Sequence, residues 1–156
     1  MLAARDGDPD MSLSKIQAIL LGGIVAGSVD IGAASLINML SPVFISQFIA
    51  GGLLGKAALT GGAQTAALGV GLQWAMSIVI AAIYVFASTR MRALRQQWAL
   101  WGILYGIPVY FVMTYVVVPL SAWHRVAPFV LVSFAENLAA MMVFGLIVAF
   151  FASKTE

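Results

Sequence analysis

Two carboxyls, Asp30 and Glu136, sit inside long apolar runs. An ionisable group near the centre of a bilayer costs about 2.5–3.5 kcal/mol on insertion scales, so it normally faces protein or water. Asp30 lies ten residues before Leu40, and Glu136 ten residues after Val126. At 1.5 Å per helical residue each is roughly 15 Å from the same membrane boundary, which puts both near mid-membrane. Two carboxyls that met there would share a proton or bind a cation, because bare charges repel in a low dielectric.

Helical spacing gives these groups neighbours. Gly23, Gly27, Asp30, Ala34 and Asn38 fall on one stripe at intervals of three and four, so small residues let another helix approach the face that carries the acid. Ser133, Glu136, Asn137 and Ala140 repeat the pattern; Gly69, Gln73, Ser77 and Tyr84 offer a third polar stripe, and Gly106, Tyr110 and Thr114 a fourth. The expectation is an interior polar layer of Asp30, Gln73, Tyr110, Thr114, Glu136 and Asn137, with Gly23, Gly27, Gly69 and Gly106 at helix contacts. Such a layer has two readings. Neutral, hydrogen-bonded carboxyls lock a bundle together; a carboxyl open to water binds an ion, a proton or a substrate.

Other chemistry has little to work with. The chain has no cysteine and one histidine, His124, so neither a metal cluster nor a haem site is expected, and no cofactor is implied. The glycines at 51, 52 and 55 lack the strand and the lysine-serine ending of a phosphate loop. No serine sits in a nucleophile elbow, so an enzyme is the least favoured class. A formal charge of +2 gives no reason to expect a nucleic-acid partner.

The elements that must position these groups are membrane spans. Of 156 residues, 62% are hydrophobic and 9% charged, with a mean hydropathy of +1.01; soluble chains carry about 25% charged residues. A span needs roughly 20 apolar residues, and residues 16–40, 66–88, 99–120 and 127–152 qualify, with a kink expected at Pro108. Residues 43–54 are too short to cross, and residues 43–59 read as either an interfacial amphipathic helix or a re-entrant segment. The expected fold is an all-α membrane protein, a four-transmembrane-helix bundle over residues 15–153 behind a disordered cytoplasmic stretch over residues 1–14. Met11 is a second candidate start.

Charge orients the bundle. Four spans put Arg5, Lys15, Arg90, Arg92, Arg95 and Lys154 on one face and leave Lys56 and Arg125 on the other. The positive-inside rule makes the first face cytoplasmic, with both termini on it. A fifth span would send Arg90, Arg92 and Arg95 outside. Trp98, Trp101 and Trp123 fall at span ends and are expected in an ordinary aromatic belt. His124 and Arg125 stand where phospholipid headgroups lie.

Three stretches carry a resemblance: GGLLGKAALTGGAQTAALGVG from Gly51 to Gly71, GSVDIG around Asp30, and YGIPVYFVMTYVVVPLSA from Tyr105 to Ala122. They resemble a family of small bacterial four-span inner-membrane proteins, over most of the chain from Ile16 onward. The resemblance implies a bacterial inner-membrane location and four helices, and it brings no activity with it. A histidine often stands in that family where this chain has Gln73, so a titrating role does not carry over.

Three function classes follow. First comes transport, or ion or proton binding, through the polar layer. Second is a non-catalytic partner of a membrane complex, since a small bundle with glycine stripes is suited to self-association or to a membrane-protein partner as well as to the lipid bilayer. Last is a membrane enzyme acting on a lipophilic substrate.

Overall fold

The computed structural model describes residues 12–126 and 128–155. The tail expected to be disordered lies outside the described residues as far as residue 11.

The described chain is helical: α1 Lys15–Asn38, α2 Pro42–Leu54, α3 Gly62–Arg90, α4 Ala93–Gln96, α5 Trp98–Val112, α6 Val118–Leu120 and α7 Leu131–Ser153. Five helical stretches, not four, are long and apolar enough to cross a membrane. The additional one is α2, which continues through a 3₁₀ turn, Gly55–Thr60, to give 19 helical residues. Its apolar character fades after Leu54, which is why the sequence alone makes it look short.

Local chemistry explains the ends. Ser14 and Gln17 form a reciprocal capping box on α1, satisfying two of its free amides. Ser41 caps α2 and Pro42 opens it, a position where the missing amide hydrogen costs nothing. Gly55 and Gly62, at φ +67° and +66°, turn the chain on either side of the 3₁₀ segment; a side chain in that region would be strained.

Helix directions follow from the contacts. A Cβ on Gly23 would lie 2.6 Å from Ile78 Cα, and one on Gly27 2.7 Å from Ser77 Oγ. Asp30 meets Gln73. Positions rise along α1 as they fall along α3, so the two are antiparallel. Leu13 N–H donates to Lys154 O at 2.9 Å while Gly22 touches Phe151 and Val148, so α1 and α7 are also antiparallel. Gly102 faces Ala149 and Gly106 faces Met141 and Met142, which makes α5 antiparallel to α7. Helices α1, α3, α5 and α7 therefore alternate in direction. Helix α2 begins where α1 ends and hands over to α3 at that same end. There Gly69 sits against the Ser46 carbonyl, and Gln47 Nε2 donates to Gly62 O at 3.0 Å.

The core lies toward the end that holds Leu13 and Thr155, around Tyr84, Val85, Phe144 and Val148. Tyr84 Oη donates to Leu94 O at 2.9 Å and closes α3 onto α4. Outward faces are apolar: Leu36 and Leu120 are both 78% exposed, as suits a surface that meets lipid. Close backbone contact carries helix association there, so Gly23→Ala should destabilise the bundle. The overpacking cost is about 1–3 kcal/mol, read by reversible SDS unfolding in mixed micelles.

Pro108 does not break α5, which runs unbroken to Val112. A π-helical turn follows at Met113–Val117, closed by Val118 N–H to Met113 O. Pro119 follows directly; without an amide hydrogen it cannot continue α-type bonding to Tyr115 O, and a wider turn accommodates the loss.

Candidate functional site

The residues grouped by spacing separate into two clusters and one outlier. The first cluster joins α1 to α3. Gly23 and Gly27 bring the helices together, and two hydrogen bonds follow just beyond them. Trp74 Nε1 donates to Ser28 Oγ at 3.1 Å, and Gln73 Nε2 donates to Asp30 Oδ2 at 2.7 Å. Gln73 and Ser77 are buried, whereas Asp30 is half-buried. An amide donor on a carboxyl is the pairing a buried acid needs in a low-dielectric site.

Gln73 also forms part of the floor of a cleft of about 680 Å³. Phe48, Ile49 and Leu53 of α2 make one side, Val116 and Val117 of the π turn another, and Ser121–His124 its mouth. Met76 and Met113 are shared with an apolar groove of about 570 Å³ between α3 and α5, where Val79 and Ile83 face Pro108 and Val112. Tyr105 Oη, at its edge, donates to Ile80 O at 2.8 Å. The cleft thus leads from the end opposite the termini down to the amide that holds Asp30.

The second cluster lines a cavity of about 370 Å³ beside α5 and α7: Tyr110 and Thr114 on one helix, Ser133 and Asn137 on the other, with Asn38 from the end of α1. Tyr110 meets Phe134 edge to face, at 5.4 Å between ring centres and 81° between planes. Asn137 Nδ2 donates to Ser133 O at 2.8 Å.

Glu136 belongs to neither. It is exposed, and among the described residues no hydrogen bond links it to Asp30. The expected single layer is corrected accordingly. Counting residues fixes height along a helix but not azimuth, and the buried positions of α7 all lie in its later half, from Phe144 to Ala152. The earlier half, with Glu136, stands clear of the core.

Gly69 and Gly106 are contact positions of different kinds. Gly69 receives α2, and Gly106 receives the Met141 carbonyl and Met142 backbone of α7. Gly145 was not singled out by the sequence, yet it fits against the backbone of Gly102 and Gly106. Its signal was Gly145 with Ala149, a small pair four residues apart.

Trp123 has packing partners that the sequence did not show: its ring stacks on Phe48 at 4.6 Å and 16°, and Nε1 donates to Phe48 O at 3.0 Å. Ala122 N–H donates to Gly52 O at 2.8 Å beside it. Gly51 gives the indole its seat. These contacts strap the segment after α6 onto α2 and hold the mouth of the cleft. Trp98 packs edge-on against Phe150 at 5.4 Å.

Comparison with protein-family models, with curated proteins and with solved structures finds no match.

Proposed function

We propose that the protein is a four-span inner-membrane protein of a bacterium that binds a proton or a small cation at Asp30 and carries it across the membrane. The observation that supports this most is the Asp30–Gln73 pair, an acid held between two helices with its partner forming part of the floor of a cleft.

Four crossings with α2 re-entrant account for the antiparallel order of α1 and α3. A crossing α2 would require those two helices to run parallel. Charge agrees with this topology. Lys15, Arg90, Arg92, Arg95 and Lys154 sit at the end that holds Leu13 and Thr155, with Lys56 and Arg125 at the other, the asymmetry that makes the first end cytoplasmic. The cleft then opens outward, while Ala81, Tyr84, Val85 and Phe144 close the inner half. A cleft that opens to one side and ends at the partner of Asp30, above a closed inner half, suits one state of an alternating-access cycle.

The test is flux in liposomes, reading internal pH and cation uptake for wild type, Asp30→Asn and Glu136→Gln. Wild type and Glu136→Gln should conduct, and Asp30→Asn should not, since the amide keeps a hydrogen bond to Gln73 but gives up the charge and the proton. A wild type silent to protons and common cations, or a conducting Asp30→Asn, would defeat the proposal.

A further inference from the structure

The cavity beside α5 and α7 is separate from Asp30 and has a chemistry of its own. Its volume of about 370 Å³ falls in the range of small-molecule sites, about 300–1,000 Å³. None of the side chains that line it is a carboxylate, lysine, arginine or histidine, so nothing there would pay to desolvate a charged ligand.

Its walls are aromatic. Phe134 stands 5.2 Å from Phe129 and edge-on to Tyr110, with Phe48 on the side toward the cleft. Such faces favour a flat ring over a flexible chain.

Its polar groups are unspent. Tyr110 is 7% exposed, and among the described residues its hydroxyl has no hydrogen-bond partner. Among the described residues the hydroxyl of Thr114 has none either. In a regular helix it would turn back to the carbonyl four residues earlier; here it stands in the π turn, a distortion that recurs at functional sites. Asn137 donates its amide nitrogen to Ser133, and among the described residues nothing donates to its Oδ1. Tyr110, Thr114 and Asn137 thus offer two hydroxyls able to donate and an amide oxygen able to accept, with Asn38, Tyr115 and Ser133 in the same lining. That is more than an acyl chain uses.

We infer that this cavity binds an uncharged, ring-bearing molecule of the quinone or quinol class, its ring between Phe134 and Phe48 and its oxygens on Tyr110, Thr114 and Asn137. The hydroxyls donate to a quinone carbonyl, and Asn137 Oδ1 accepts from a quinol hydroxyl. The mouth, at Asn38 and Pro128–Val130, opens at the boundary opposite the termini, where an amphipathic molecule in the bilayer would carry its polar head.

Duroquinone is the probe, titrated into the purified full chain in nanodiscs. Trp123, stacked on the Phe48 wall, reports binding through quenching of its fluorescence. Saturable quenching is expected, about tenfold or more weaker in a Tyr110→Phe/Thr114→Val variant that loses two hydrogen bonds. Durene, the same methylated ring without the carbonyls, should compete poorly on wild type. Quenching that rises linearly without saturation means partition into lipid and overturns the site. Durene competing as well as duroquinone overturns the role of the polar groups, and that comparison stands even if the double variant fails to fold.

Discussion

Gly106→Leu is expected to destabilise the bundle strongly, with a cost of about 3 kcal/mol or more. The contact it fills is backbone against backbone. Gly106 lies against the Met141 carbonyl and the Met142 Cα, and Gly145 returns the contact against Gly102 and Gly106. No flexible side chain stands there to move aside, so α5 and α7 would have to separate. Lipid tails are as apolar as leucine, so helices in a bilayer gain little from hydrophobic burial against each other; close approach is most of what holds them. Gly32 is the control. A Cβ there meets nothing within 4 Å, and Gly32→Ala should leave stability unchanged or raise it by up to about 1 kcal/mol through helix propensity. Reversible SDS unfolding of the two variants beside wild type measures both. Equal midpoints for Gly106→Leu and wild type would mean that α5 and α7 are not held by this contact. Because Tyr110 lies one turn beyond Gly106, the leucine variant should also lose the saturable part of duroquinone quenching.

The apolar helices were the most legible part of the chain, because twenty-residue apolar runs and small residues at intervals of four are patterns in one dimension. Gly23 and Gly27 carry their contact in their spacing. Helix α2 was harder, since its continuation to Thr60 depends on a 3₁₀ turn between two glycines of positive φ. Composition reads that stretch only as a break. The split of the polar layer was not legible at all. Residue counting puts Asp30 and Glu136 at comparable heights, but the face each helix turns inward is set by neighbours far away in sequence: Gln73 for Asp30, and for α7 a core confined to its later half. Trp123 shows the same limit. Its sequence position gives membrane depth, whereas its partners Phe48 and Gly51 lie more than 70 residues away. The neighbouring pair Ser28 and Trp74 could have been found, since each flanks a member of the Asp30–Gln73 pair on an adjoining helix.

The Asp30–Gln73 bond separates a structural acid from a working one. Gln73→Leu leaves the carboxyl without its amide, and Asp30→Leu leaves the amide without its carboxyl; each should cost about 1–3 kcal/mol, the price of an unpaired polar group. The double variant Asp30→Leu/Gln73→Leu removes both partners and should be nearly as stable as wild type, because two apolar groups of similar size leave nothing unsatisfied. With both single changes costly and the double variant near wild type, the cycle gives a coupling equal to the two single costs together, about 2–6 kcal/mol. If the pair only fastened α1 to α3, restoring stability would restore the protein, and the double variant would conduct as wild type does. If Asp30 carries the ion, flux is lost wherever Asp30 is lost, and regained stability brings none of it back. Single changes that simply add would mean that the 2.7 Å contact contributes nothing. A stable, conducting double variant would move the path for ions away from Asp30 altogether.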